Sequence, residues 1–459
     1  MRLGSSVAIH LCTLIACACA VSACGGAEDV VVATPARIDS ARASIDSLRA
    51  LVRESLGDAR FVGPPPVRAE LVALGQALAF DAILSGPKNI SCMTCHQPAF
   101  ATGDGRSLSV GQGGAGVGPI RVMAAGQTFT PRNSPPLFGL VGRTALFHDG
   151  RVELMADGSL RTPAGAQLTA EMQRVFEFGA LSAVSLFPVH DRQEMRGTAG
   201  NELATIADWD MTGTWSALMQ RLGNIAEYRA MFEAAYPGTK FDAMTFAHAS
   251  NAIAGFLVQR FTLVDSPLQR FITGDNSALT ETQLQGGGQF LDRECNTCHS
   301  GSLFSDSRFH NTGLPQIGPG KGILPAPLDD YGRAYVTGNV ADRYKFLTPS
   351  LLNVELTAPF GHAGQFATLE DFVQHYDRPR QRYAEYDVTQ LEPALRATLV
   401  ANNTELLAGI DLVLTVRSFD AATGQQLVAF LRAFTDPAAR KLDDVVPARV
   451  PSGLPVDHP

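Results

Sequence analysis

Three observations predict a mainly helical protein assembled from two related halves. The run Cys92-Met93-Thr94-Cys95-His96 returns 203 positions later as Cys295-Asn296-Thr297-Cys298-His299. A stretch of helical periodicity precedes each copy, Pro66 to Leu84 before the first and Thr280 to Arg293 before the second, as in an internal duplication. Alternating strand patterns are weak throughout, whereas apolar residues recur at helical spacing in several other segments. The C-x-x-C-H run itself reads as a covalent c-type haem attachment, with two thiols for thioethers and the following imidazole for the iron. A lone copy could also be a redox or zinc cysteine pair. Two copies, each followed at once by histidine, point to two haem c groups on Cys92, Cys95, Cys295 and Cys298, with His96 and His299 as iron ligands.

Taken in order, the chain opens with a leader over residues 1–23: an early arginine, an apolar stretch from Val7 to Val21, then Val21-Ser22-Ala23-Cys24, which reads as a lipoprotein processing box. Cleavage would remove Cys12, Cys17 and Cys19, leaving Cys24 for lipid and four cysteines for haem. The expected place is the bacterial periplasm, and Gly25 after Cys24 leans toward an outer-membrane anchor. No other run approaches 18 apolar residues, so no transmembrane span is expected. Residues 24–64 form a tether and a peripheral helix, in which Ile38, Ile45, Leu48, Leu51, Val52 and Leu56 recur at helical spacing up to the Gly63-Pro64-Pro65-Pro66 stop.

An N-terminal domain is expected over 65–270. The Gly-rich passage Gly103 to Gly118 has too few apolar side chains to pack alone, so it must lie on something or stay mobile. Its glycines match no phosphate-binding fingerprint. A loose insertion runs to about Thr169. Helices are expected over Glu171 to Phe178, Trp215 to Tyr236 and Phe246 to Phe261, the last with small residues that allow close helix contact. A linker near Asp265 to Asn276 leads to a C-terminal domain over 271–440, with a capping box at Thr280 and Gln283. Short helices follow over Thr368 to Tyr376 and Thr423 to Phe434, and 441–459 reads as a flexible Pro-rich tail.

The bulk agrees with a folded globular protein of two or three domains: 459 residues, 45% hydrophobic, with 25 phenylalanines for core. A net charge of -8, made more negative by haem propionates, argues against a nucleic-acid partner.

What fills the sixth position of each iron decides between electron transfer and peroxide chemistry. After His96 no histidine occurs before His148, and Met123 is the single soft candidate, so the first haem is read as open. Hydrogen peroxide can bind an open ferric site, and breaking its O–O bond needs an acid/base within hydrogen-bond reach. Glu194, in a short loop after a proline, is the best candidate in the first half. After His299 come His310, His362, His375 and Tyr376, and spacing does not choose among them.

The segments CMTCH, RNSP (132–135), FHDGR (147–151), QEMRG (193–197), CNTCH and LTPSLLNVELTAPFGHAGQFATLEDFVQHY (347–376) occur in that order. Together they resemble the bacterial di-haem cytochrome c peroxidases and, more closely, the methylamine-utilisation di-haem enzymes, over roughly 66–435. The resemblance implies two cytochrome c-like lobes, each with one covalent haem, and a calcium ion between them held by Asn133, Thr357 and Pro359, a hard-oxygen set. It implies that Glu194 is the distal acid/base of the first haem. Where the peroxidases carry a methionine as sixth ligand of the second haem, this chain has Tyr376, as in the methylamine-utilisation branch. A phenolate stabilises oxidised iron and lowers its potential, whereas a thioether does the reverse. The tryptophan usual in F-W-D-G-R, between the haems, is His148 here, which can bridge by hydrogen bonds, is hard to oxidise to a radical, and could instead ligate the first iron.

The expected activity is thus a peroxide-dependent di-haem oxidoreductase. Its electrons would come from a small cytochrome c or cupredoxin, or from a protein substrate oxidised at a distance. A non-catalytic periplasmic electron carrier is the alternative.

Overall fold

The computed structural model describes residues 35–57, 59–321, 327–415 and 418–458. The leader, Cys24 and most of the tether lie outside them. The chain divides into a short unit ending at Ser44 and a main unit, Ile45–Pro459; of the first only the start of the helix Pro35–Ser55 is described.

In the main unit the helices run as the periodicity predicts, with physical reasons for each departure. The helix Ala69–Phe80 buries Leu71, Leu74, Leu78 and Phe80. It lies against the helix Phe246–Phe261 so closely that a Cβ at Gly75 would stand 1.9 Å from the Ala252 carbonyl oxygen. The helix Glu281–Asp292 is started by the predicted capping box, Gln283 N donating to Thr280 Oγ1 at 3.2 Å and Thr280 N to Gln283 Oε1 at 2.9 Å. It packs on the helix Ala421–Arg432, and a Cβ at Gly286 would stand 2.0 Å from the Gln426 carbonyl oxygen. The stretch expected as one helix from Trp215 to Tyr236 is two, Met211–Gly223 and Ala226–Ala235, because Ile225 is extended between them. Only Ala170–Gln173 of the expected 171–178 helix is α-helical.

Two hydrophobic cores result. The first gathers Phe80, Phe232, Phe246, Phe256 and Phe261 around the Ala69–Phe80 and Phe246–Phe261 helices. The second gathers Phe271, Phe290, Phe304, Phe430 and Phe434, with Phe304 and Phe434 edge to face at 4.6 Å, and takes in Val52 and Leu56 from the peripheral helix. The segment expected as a linker is itself helical over Pro267–Ile272 and buries Leu268 and Phe271 in this second core.

The expectation of a flexible tail over 441–459 is corrected. Val445 and Val450 are fully buried in the first core, Gln76 Nε2 donates to the Val445 carbonyl at 2.7 Å, and Ser452 Oγ donates to Asp81 at 2.7 Å. Isolated valines in a Pro-rich run carry no periodic signal, yet each fills a place in a core built elsewhere. Strands are short and antiparallel. The longest set pairs Ala145–Leu146 with Val152–Leu154, and that with Leu160–Arg161, so part of the stretch expected as a loose insertion is an edge strand.

Candidate functional site

The first box lies on the short helix Cys92–Cys95, which starts with a capping box between Ser91 and Thr94. His96 follows as its cap, and its Nδ1 lies 3.1 Å from the Thr102 carbonyl oxygen. A carbonyl only accepts, so Nδ1 carries the proton and Nε2 keeps its lone pair for a metal. Ser134 Oγ is 3.5 Å from Nε2. Cys92, Cys95 and His96 line a cavity of about 250 Å³, whose surface is mostly apolar side chains such as Leu137, Phe138, Phe147, Leu181 and Leu257. The second half of the chain closes part of it, with Leu347, Pro349 and Leu352.

Glu194 lines the same cavity, and its charge acts on both thiols of the box. It sits in a single turn of π-helix, Arg192–Arg196, a form concentrated at functional sites. Asp191 starts the turn by accepting from the amides of Gln193 and Glu194 at 2.8 and 2.9 Å. Two glycines press on its backbone: a Cβ at Gly86 would stand 1.8 Å from Arg196 O, and one at Gly111 2.0 Å from Gln193 O. Gln112 then donates from its backbone to Gln193 O and from its side chain to Met195 O, both at 2.7 Å. The Gly-rich passage therefore lies on the loop that carries Glu194. Burial, with nearby Asp191, lifts the Glu194 carboxyl to about 7 against the pull of Arg151, Lys321 and Arg132. Arg151 Nη2 stands 3.9 Å from Glu194 Oε1 and stacks its guanidinium 3.6 Å over Phe147.

His148 also lines the cavity, held by its Nε2 3.1 Å from the Asn133 carbonyl oxygen. Burial and the neighbouring Arg132 hold it to about 4, so it is neutral. Arg132 itself is locked between Asp149 and Asp330 at 2.5 and 2.6 Å. Asn133 and Thr357 both line a small void, with Gly103, Asp104 and Ala358 among its other walls. Asn133 donates from Nδ2 to Arg106 O at 2.8 Å, which turns its amide oxygen away from that carbonyl, and Asp104 Oδ2 is buried without a hydrogen-bond partner.

The second box repeats the proximal arrangement: His299 Nδ1 lies 2.9 Å from the Phe304 carbonyl oxygen, which again leaves Nε2 free for a metal. The candidate partners separate by their contacts. His310 is clasped between Asp411 at 2.6 Å and Asp306 at 2.9 Å. His362 stacks on Phe346 at 3.6 Å. His375 Nε2 is 2.9 Å from the Thr312 carbonyl oxygen. Tyr376, the residue just after the helix Leu369–His375, is enclosed beside Cys295 and Cys298, and burial and those two sulfurs push its phenol well above the usual range. Its hydroxyl makes no hydrogen bond to the described residues.

Sequence reasoning missed the supports of Glu194. Gly86 and Gln112 carry no motif of their own, and Gly111 was one of many glycines. It also missed Asp104, whose one signal is a position eight residues after His96 in a Gly-rich run.

Residues 69–277 match the family described as di-haem cytochrome c peroxidase. The chain is 30% identical over 371 residues to the methylamine utilization protein MauG of Methylorubrum extorquens, covering 78% of this chain and 83% of that protein. It is 30% identical over 310 residues to the cytochrome c551 peroxidase of Pseudomonas aeruginosa, covering 67% and 72%. Among solved structures, a MauG-like protein associated with microbial copper homeostasis superposes with a TM-score of 0.59 at 25% identity, over 84% of this chain and 96% of that one. A diheme peroxidase of Burkholderia thailandensis shares the fold, with a TM-score of 0.55 at 21% identity over 86% and 91%. The chain belongs to the bacterial di-haem cytochrome c peroxidase and MauG-like family of peroxide-handling, electron-transferring oxidoreductases.

Proposed function

We propose that this chain reduces hydrogen peroxide at a haem c held by Cys92, Cys95 and His96, and passes electrons through a second held by Cys295, Cys298, His299 and Tyr376. The observation that carries the reading is the place of Glu194, a carboxyl that lines the cavity of the first box on a braced turn, where its surroundings raise it above the ordinary carboxylate range. Haem iron, when bound there, would supply the redox chemistry of peroxide reduction. Glu194 supplies the proton traffic. Its carboxylate takes a proton from the incoming peroxide and returns it to the departing oxygen, which leaves as water. A carboxyl near neutrality serves both directions. Arg151 beside it holds the ionised form in place, and the apolar wall limits stray water. The overall balance is one peroxide, two protons and two donor electrons to two waters.

At the second site, a ferric ion at the Tyr376 oxygen would reverse the burial that raises the phenol. A hard phenolate there favours oxidised iron, which supports a protein substrate as the electron source over a small cytochrome c or cupredoxin. His148, neutral and hydrogen-bonded, lies in the wall of the first cavity as a bridge toward the second site. Asn133 and Thr357, joined by Asp104, would hold a calcium ion through oxygen. The covalent haem boxes and the leader support a periplasmic enzyme tethered through a lipid on Cys24.

The test pairs an EPR spectrum of the ferric holoprotein with steady-state peroxide turnover. One high-spin and one low-spin haem with peroxide consumption are expected. Two low-spin haems with no consumption would return the chain to an electron carrier. Peroxide consumption with negligible oxidation of reduced cytochrome c or cupredoxin selects the protein-substrate form.

A further inference from the structure

Arg132, Arg143, Arg151 and Lys321 bring positive charge to the wall of the first cavity. Arg132 is neutralised by Asp149 and Asp330. Arg151 has Asp149 at 3.6 Å and Glu194 at 3.9 Å. Lys321 feels Asp330 and Asp149. Arg143 differs from all of them. Among the described residues its one side-chain hydrogen bond is from Nη2 to the Thr348 carbonyl at 2.9 Å, and its Nε is buried with no partner. Among the described residues no carboxylate pairs with it, and enclosure alone acts on it, pulling even a guanidinium down to about 10.

A cation held out of water without a counter-ion is costly, and an anion would complete it. Its planar fork matches a carboxylate in two-point contact. The cavity it faces already contains two thioether-forming cysteines and an imidazole with a free Nε2. Haem c brings two carboxylates of its own, on the edge of the ring away from the vinyl positions that the cysteines take. The Thr348 carbonyl that fixes Arg143 also accepts from Ser305 Oγ at 2.7 Å, and Ser305 lies six residues after His299. The guanidinium is thus tied to the loop that follows the second box.

We propose that Arg143 binds a propionate carboxylate of the haem attached at Cys92 and Cys95, as the residue that seats that edge of the ring and neutralises its charge. The assignment rests on the reading of this cavity as a haem site. Arg143 is a positioning residue, and its effect is on the charge state and seating of the cofactor.

The test uses full-length holoprotein as wild type, Arg143→Gln and Arg143→Lys. Covalent haem content, read as the pyridine haemochrome, comes first. Wild-type protein with no haem on the first box would bring down both the site reading and the Arg143 assignment. With two haems present, Arg143→Gln is expected to move one propionate-bending band in the resonance Raman spectrum. It should also lower the midpoint potential of one haem and give that potential a slope with pH near neutrality, because an unpaired propionate takes up a proton more readily. Arg143→Lys keeps the charge and loses the fork, so it should restore most of the potential while the band stays shifted. Unchanged bands and an unchanged pH slope in Arg143→Gln overturn the assignment. Should Arg143→Gln not assemble, Arg143→Lys decides alone: a moved band supports the contact and an unmoved one overturns it.

Discussion

His96 and His299 are presented to a metal in the same way, each with Nδ1 on a carbonyl oxygen a few residues ahead, Thr102 at 3.1 Å and Phe304 at 2.9 Å. Each box also follows a helix whose glycine touches the backbone of a later helix, Gly75 on Ala252 and Gly286 on Gln426. Beyond the imidazole the two sites part. The first opens on a cavity lined by a carboxyl and an arginine, Glu194 and Arg151. The second meets the phenol of Tyr376, which packs against Phe372 with ring centroids 5.5 Å apart. The duplicated element therefore sets out two cysteines and a carbonyl-held histidine alike in both halves. Distant, unduplicated segments decide what each site does.

The sharpest way to break that contrast is Glu194→Gln. Both haem spectra should persist, while peroxide activation falls by about 10²- to 10⁴-fold, the range for a lost acid/base. Stopped-flow mixing with peroxide checks it, and a rate within a few-fold of wild type would remove Glu194 from the mechanism. Tyr376→Phe acts on the other site. The low-spin component should move toward five-coordination, with the first haem and its peroxide binding intact; an unaltered EPR spectrum gives the ligand role to a histidine.

A pH series separates the sites by charge. The Glu194 carboxyl rises from an ordinary 4.5 to about 7 in the fold, so the folded chain keeps a proton that the unfolded chain releases between those values. Stability from this group is then lost as pH climbs from about 4.5 to about 7 and is level above. Peroxide activation, which needs the ionised form, climbs through the same upper limit. Chemical denaturation at stepped pH should show the slope in wild type and its loss in Glu194→Gln. A slope of equal size in both proteins assigns it to other groups.

The legible parts of the molecule were local ones. The C-x-x-C-H boxes, the Thr280 capping box and the apolar faces of the long helices depend on residues within a turn or two of each other, and spacing displays them. Glu194 was visible as a carboxylate in a loop; its tuning was not, because burial and Asp191, Arg151, Lys321 and Arg132 set it together. Gly86 and Gly111 matter through backbone that lies far along the chain, and closeness of that kind has no sequence period. Val445 and Val450 looked like tail residues for the same reason: their partners are in a core the local sequence does not describe. Arg143 shows the limit most plainly, since an arginine after a glycine is unremarkable until its lack of a carboxylate is seen.

The smallest effect tests the symmetry itself. A methyl group at Gly75 would sit 1.9 Å from Ala252 O, and one at Gly286 2.0 Å from Gln426 O, so either alanine must push two helices apart. Overpacking of this kind costs about 1–3 kcal/mol, and the two seams are alike in geometry, so Gly75→Ala and Gly286→Ala should lower the melting temperature by similar amounts of a few degrees. Their chemistry should differ. The helix Ala69–Phe80 leads to the first box and to Gly86, which presses on the Glu194 turn, so Gly75→Ala should also slow peroxide activation. Gly286→Ala disturbs only the approach to the second box and should leave that step alone. Equal thermal losses with unequal peroxide rates would confirm that one structural element was copied and only one of its copies was given a reactive face; equal losses in both measurements would mean that Glu194 answers to the whole fold and not to its own half.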